Sequence, residues 1–469
     1  MTTPGHAERI RANALKERHQ HDARMEEIDF DLSPFTVAWE VTRACALICM
    51  HCRAVAHPKR DPTELTFAES IQLIDDIKSF GNPILIFTGG DPLMRRDLFD
   101  LIAYASHEKK LRTSLTPSAT ALASRSRLLK AKESGILRVA VSLDGPTAEV
   151  HDAFRGFQGS YDRTIDILQI LNEIDMPLQI NTTICRYNLP VIKQMPDIVE
   201  RFRSVQWSVF FLVATGRGKV EDMISPEEHE WMLNYLYDLG KTAGFDIKAT
   251  ACPHYRRVAI QRQKAKHASP TEETGIRFAG AGFRYEDGLD RPMKGVNDGK
   301  GFVFISHKGD VCPSGFLPVT GGNVREKSIV EIYRNAEIFR QLRAPSLLKG
   351  KCGVCDFREV CGGSRARSYA ITGDYLAEDP YCVYVPGESL RPYTPCGGRC
   401  RTSIQGTIGL AGAPVSNGDA PCRIKYLSSK TKQTSLDSLL TRSRRMVGRL
   451  APAETDRPAS RKRASGAPT

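Results

Sequence analysis

Six short apolar runs separated by amphipathic segments leave this chain few folds to choose from. The runs are FTVAWEVT (35–42), NPILIFTG (82–89), LRTSLTP (111–117), LRVAVSLD (137–144), LQINTTI (178–184) and QWSVFFLV (206–213). Between them apolar residues recur at helical steps: Ile71, Ile74, Ile77 and Phe80, then Phe99, Ile102 and Ala103, and later Ile165, Leu168, Ile170 and Leu171. Such β–α repeats predict an α/β fold, a parallel sheet with right-handed crossovers. Six units rather than eight predict a partial (β/α)6 TIM-like barrel, open on one side, over residues 34–243.

In parallel barrels, reactive groups gather at the carboxyl ends of the strands, and the unusual residues of this chain fall there. The loop leaving the first run reads VTRACALICMHCRA, which sets Cys45, Cys49 and Cys52 in a C-x3-C-x2-C spacing. Iron–sulfur clusters ordinarily take four Cys ligands, so three thiolates can hold three irons of a 4Fe–4S cube and leave the fourth open to a small molecule. The alternatives are buried free thiols or zinc, which favours four ligands in pairs; His51 would not complete a good tetrahedron. Gly89, Gly90, Asp91 and Pro92 follow the second run, where two glycines let the backbone approach a ligand closely. Ser142 and Asp144 share one face of the fourth strand, and Arg155 just beyond is suited to pairing with a carboxylate. Asn181 closes the fifth strand facing the same way, and Gly216-Arg217-Gly218 follows the sixth. A strand-to-helix turn at Pro92 and a helix cap at Asp144 are the structural alternatives.

Beyond residue 243 the pattern changes. Phe302–Ser306, the turn His307-Lys308-Gly309-Asp310 and Val311 read as a β-hairpin, and a helix is expected near Ser328–Leu342. Cys352, Cys355 and Cys361 follow in C-x2-C-x5-C spacing, with Cys382 further on. Four thiolates can close a complete 4Fe–4S site; a zinc ribbon is the rival. Residues 244–386 are therefore expected to form a smaller α+β metal-binding domain.

The three-Cys loop, GGDP and the SLDG segment before His151-Asp152-x-x-Arg155 together resemble radical S-adenosylmethionine (SAM) enzymes. That resemblance implies a SAM-binding 4Fe–4S cluster on Cys45, Cys49 and Cys52, whose open iron takes the amino and carboxylate groups of SAM. It implies further that the backbone of Gly89–Pro92 receives the SAM ammonium group, that Ser142 and Asp144 meet the ribose, that Arg155 pairs with the carboxylate and that Asn181 faces the cofactor. The hairpin, Gly322-Asn323-Val324-Arg325-Glu326-Lys327-Ser328 and the later cysteines resemble the SPASM domain of radical SAM maturases. Full SPASM domains hold two auxiliary clusters, but here Ser314 stands where the first auxiliary Cys is expected. Arg365 stands where a C-x3-C partner of Cys361 would be, and Cys312 is two positions out of register. One auxiliary 4Fe–4S cluster is expected, on Cys352, Cys355, Cys361 and Cys382. Cys185, Cys252 and Cys312 are expected as buried thiols, and Cys396 and Cys400 as binding nothing stable.

The resemblance spans about residues 34–386 and covers peptide maturases of the PQQ and mycofactocin type as well as haem-modifying radical enzymes. A peptide or small metabolite-precursor substrate leads on this reading. The rival is a tetrapyrrole, whose propionates need cations such as those of His254-Tyr255-Arg256-Arg257. A reductant such as flavodoxin or ferredoxin is implied. The non-enzyme alternative is an iron–sulfur or zinc scaffold.

The formal net charge of +12 sits mostly in the tail: residues 387–469 carry 15 Lys and Arg against 5 Asp and Glu. What precedes is close to neutral, so a nucleic-acid surface is not implied. The tail is rich in Ser, Gly, Pro and Arg and is expected to be disordered. Residues 1–33 are charged, lack the apolar core of a secretory signal and are too few for a separate peptide-recognition domain. No stretch is apolar enough for a membrane span. Clustered Cys in such a chain point to metal ligation in a reducing cytoplasm.

Overall fold

A computed structural model describes residues 28–264 and 295–387. The basic tail from residue 388, with Cys396 and Cys400, lies outside the described residues, as do residues 1–27 of the N-terminal extension. The expected strands are β1 Thr36–Glu40, β2 Ile84–Thr88, β3 Arg112–Leu115, β4 Arg138–Ser142, β5 Leu178–Ile184 and β6 Gln206–Phe211. They pair in sequence order, all parallel. The sheet then runs past both expected ends. On one side β7, Asp246–Thr250, adds a seventh parallel strand. On the other, β8 (Asn297–Asp298), β9 (Gly301–Ile305), β10 (Asp310–Cys312) and β11 (Gly322–Asn323) join through β9, which lies parallel to β1 with Val37 opposite Val303. β1 is thus an interior strand, and the hairpin β9–β10 continues the same sheet.

Strand alternation sorts the side chains onto two faces. Val37 and Trp39 join the large apolar core with Leu73, Ile74 and Ile77 of the helix Phe67–Lys78. That helix starts where its sequence says it should: Thr66 accepts a hydrogen bond from Glu69 N, and Glu69 returns one from Thr66 N at 2.7 Å. The other face of β1 carries Ala38, which packs with Ile86, Phe304 and Cys312 inside the barrel, and then Glu40. Along β5, Gln179, Asn181 and Thr183 are half-buried and face inward, while Ile180 and Ile184 enter the helix-covered core. β5 extends to Ile184, so Asn181 is a mid-strand residue rather than a strand end.

Among the described residues no helix is long and apolar enough to cross a membrane. The segment expected as one helix over 328–342 is two, Ile329–Asn335 and Glu337–Arg343, because Ala336 is extended (ψ 137°). The bend brings the Phe339 ring to 5.4 Å from that of Tyr333.

Candidate active site

Cys45 and Cys49 pack with Leu47 in one buried cluster, Cys52 against it, on the loop leaving β1. Three other strand ends hold that loop by its backbone. Gly90 N donates to Thr42 O at 2.9 Å and Asp91 N to Ala44 O at 2.6 Å. After β6, Arg217 donates from N to Cys52 O at 3.0 Å and from Nε to Cys49 O at 2.9 Å. Met50 N donates to Phe154 O at 3.3 Å, on the helix Ala148–Arg155. The glycines of GGDP are needed by this packing: a Cβ on Gly90 would overlap Ala44 O and Arg43 O, and one on Gly89 would overlap Thr42 O. Gly216 adopts φ +62° with its Cα facing Cys52 O and Arg53 O, a conformation and a closeness that suit only glycine.

Each sulfur has its own surroundings. Cys45 Sγ accepts from Leu47 N at 3.4 Å and lies 3.5 Å from Ser118 Oγ. Burial pushes its thiol above the ordinary range. Arg155 Nη1 donates to Cys49 Sγ at 3.7 Å, and its Nη2 pairs with Asp144 Oδ2 at 2.6 Å. Asp144 is turned into the protein, 1 % exposed, its Oδ1 taken by Thr183 N at 2.7 Å. It therefore aims Arg155 at the cysteine loop. Burial alone would lower the Arg155 pKa, but Asp144 and Cys49 raise it above its ordinary value, so the guanidinium stays charged. His51 stacks on Phe154 at 4.2 Å, and burial together with the Arg155 and Arg217 charges pushes it well below the usual imidazole range.

Asp91 is a brace. It accepts from Leu93 N at 3.1 Å, Ser118 N at 3.4 Å and Thr120 Oγ1 at 2.7 Å. Ser142, Asn181 and Ser208 are register partners on β4, β5 and β6 and form a polar row on the inner face. Below that row Arg138 Nη1 donates to Gln179 at 2.9 Å and Gln206 at 3.2 Å, and Gln206 donates to Asp246 at 2.6 Å.

Glu40 escaped the sequence reading, although an acid closing an apolar strand was the available signal. It is fully buried and meets His307 Nδ1 at 2.8 Å, Arg53 Nη1 at 3.1 Å and Arg43 Nε at 3.4 Å. Burial would push its carboxyl up, but the His307 hydrogen bond and the two arginines outweigh it and hold it at about 2. Arg53 directly follows Cys52, and His307 sits in the β9–β10 turn, so Glu40 ties the cysteine loop to the hairpin. Glu40→Ala leaves Arg53, Arg43 and the His307 ring without their shared partner and is expected to cost about 3–5 kcal/mol in urea unfolding of the anaerobic holoprotein. A loss below about 1 kcal/mol would show the cluster to be surplus.

The second cysteine set also converges. Cys352, Cys355, Cys361 and Cys382 line one hollow, together with Arg257, Lys351 and Tyr384. Backbone amides point at three of the sulfurs, each at 3.4 Å: Asp379 N at Cys352, Phe357 N at Cys355 and Gly363 N at Cys361. Burial pushes the thiols of Cys361 and Cys382 above the ordinary range, and a bound cation would draw them to thiolates. Four thiols around one hollow, three of them met by backbone amides, are a donor set that suits an iron–sulfur cube.

His254, Tyr255 and Arg257 of the His254-Tyr255-Arg256-Arg257 segment are buried. Arg257 is ion-paired with Glu230, and Arg256 donates to Val296 O. His254 Nδ1 lies 3.2 Å from Cys252 Sγ, and its Nε2 lies 3.3 Å from Asp379. Of these, His254 and Arg257 line the four-cysteine hollow. Cys185, Cys252 and Cys312 are buried free thiols, as expected.

A family model for the radical SAM superfamily matches residues 39–195. An AdoMet-dependent heme synthase of Methanosarcina barkeri is 43% identical over 356 residues, 76% of this chain and 98% of that protein. The chain belongs to the radical SAM superfamily. It is an enzyme of that family, which implies a 4Fe–4S cluster and SAM. A PqqA peptide cyclase of Rhodopseudomonas palustris is 29% identical, over 75% of this chain and 88% of that one. The fold matches Streptococcus suis SuiB, solved bound to the precursor peptide SuiA, with a TM-score of 0.57 at 17% identity, covering 80% of this chain and 81% of SuiB.

Proposed function

We propose that this radical SAM enzyme modifies an iron tetrapyrrole and carries a second 4Fe–4S cluster on Cys352, Cys355, Cys361 and Cys382. The observation that carries the substrate is the 43% identity, over nearly the whole of its partner, to a protein named heme synthase, against 29% to a named peptide cyclase. The peptide reading keeps the support of the SuiB fold and becomes the second choice.

In this reading Cys45, Cys49 and Cys52 hold the first cluster, which when bound and reduced supplies the electron that splits SAM to a 5′-deoxyadenosyl radical. Arg155, fixed by Asp144, receives the SAM carboxylate. The Gly89–Pro92 segment sets the loop and lines the ammonium side. Ser142 and Asn181, adjacent on the inner face, take the ribose hydroxyls. The amides aimed at Cys352, Cys355 and Cys361 hold the second cluster for electron transfer. A flavodoxin or ferredoxin in the cytoplasm supplies reducing equivalents.

Iron-coproporphyrin titrated into the anaerobic holoenzyme is expected to change its absorbance saturably and to stimulate 5′-deoxyadenosine release. No spectral change, with release stimulated instead by a precursor peptide, would reverse the order of the two substrates.

A further inference from the structure

Of the guanidiniums around the four-cysteine hollow, most have a carboxylate. Arg367 is bound by Asp379 at 3.2 and 3.3 Å, and Arg257 by Glu230. Arg365 is different. It is 2% exposed and spends its donors on Gly363 O at 3.3 Å, Tyr375 O at 3.0 Å, Ala377 O at 2.7 Å and Cys352 Sγ at 3.7 Å. Among the described residues no carboxylate pairs with it. Asp298 feels its charge, but that carboxylate is held by Ala366 N at 3.0 Å. Arg256 repeats the pattern nearby, donating to Val296 O with no carboxylate partner among the described residues.

A buried cation without a counter-charge is costly, and carbonyl dipoles compensate it only in part. The chain nevertheless makes room for this one. Gly363 sits at φ +68°, where a Cβ would overlap Arg365 Nη2 and come within 3.2 Å of Cys352 Sγ. What balances the charge is the occupant of the hollow: an iron–sulfur cube on four thiolates is an anion, and a stronger one after gaining an electron.

We propose that Arg365, with Arg256 as its weaker companion, raises the reduction potential of the auxiliary cluster by setting an uncompensated guanidinium against Cys352 Sγ. This rests on the four-cysteine cluster proposed above. Charge and hydrogen bonds at the ligand sulfurs set such potentials, and a fixed cation stabilises the reduced state more than the oxidised one. Arg365 is a positioning residue for charge, touching the ligand and not the substrate. In the resembling SPASM pattern a second-cluster Cys would be expected at this position.

The test is an EPR-monitored redox titration of the anaerobic holoenzyme, with the first cluster identified by its spectral response to SAM. Arg365→Gln is expected to move the auxiliary potential negative. The reduced-to-oxidised ratio at the wild-type midpoint should fall at least tenfold, about 59 mV for one electron. The SAM-responsive signal should stay unchanged, and Arg365→Lys should restore part of the shift. An unchanged auxiliary potential in Arg365→Gln with both clusters filled overturns the proposal. Where that variant fails to retain its second cluster, Arg256→Gln decides: a smaller negative shift supports the proposal and no shift overturns it. A wild-type protein holding zinc, or only one SAM-responsive cluster, overturns the four-cysteine reading itself, and this inference with it.

Discussion

Replacing Cys45, Cys49 and Cys52 together with alanine abolishes 5′-deoxyadenosine release under dithionite and halves the bound iron. Two four-iron cubes give about eight irons per chain, and the triple variant keeps about four. The two cysteine sets make this separable. The first lies on the loop after β1, held by strand ends within the barrel. The second lines its own hollow, with amides from residues 357, 363 and 379. Undiminished release by the triple variant would refute the assignment of the first cluster. About four irons plus one zinc in the wild type would move Cys352–Cys382 to a zinc ribbon.

Gly90→Ala, the smallest change possible at that position, is expected to be nearly as damaging. The added methyl would occupy the space of Ala44 O and Arg43 O, two backbone atoms of the cysteine loop. Backbone cannot swing aside as a side chain can. Relief requires breaking Gly90 N–Thr42 O and Asp91 N–Ala44 O, the bonds that seat the loop. A cost of about 4 kcal/mol or more follows, in the range reserved for a few severe mechanisms. The variant should lose the SAM-responsive EPR signal while the auxiliary signal persists. A first cluster of wild-type occupancy would show that the loop can shift without loss.

The strands were legible because each is a run of β-branched and aromatic residues between helical periods, and the cysteines because metal chemistry dictates spacing. Three kinds of feature were not. β7 was missed because Asp246, Lys248 and Thr250 dilute its one strongly apolar position, Ile247. The hairpin was recognised, yet nothing local in Gly301–Ile305 says that it will lie beside β1. Residues read for the ligand also carry duties within the protein that their motifs did not reveal. Asp144 serves Arg155, the glycines of GGDP serve the loop, and Arg257 serves Glu230. Asp379, which binds Arg367 and aims its amide at Cys352, lies in a stretch with no pattern to mark it.

The parallel pairing of β1 with β9 also constrains how the chain is made. β1 is flanked by β2 on one side and by residues 302–305 on the other, and Glu40 finds His307 267 positions downstream. While the chain is emerging from the ribosome, the first cysteine loop therefore rests on an edge strand with a buried acid whose His307 partner is missing. Contacts of such sequence separation form late. Iron loaded onto Cys45, Cys49 and Cys52 before the hairpin is synthesised would sit in a half-built cradle, open to oxidant. The topology thus favours delivery of iron and sulfide after translation, to a chain that already carries its second set of thiols.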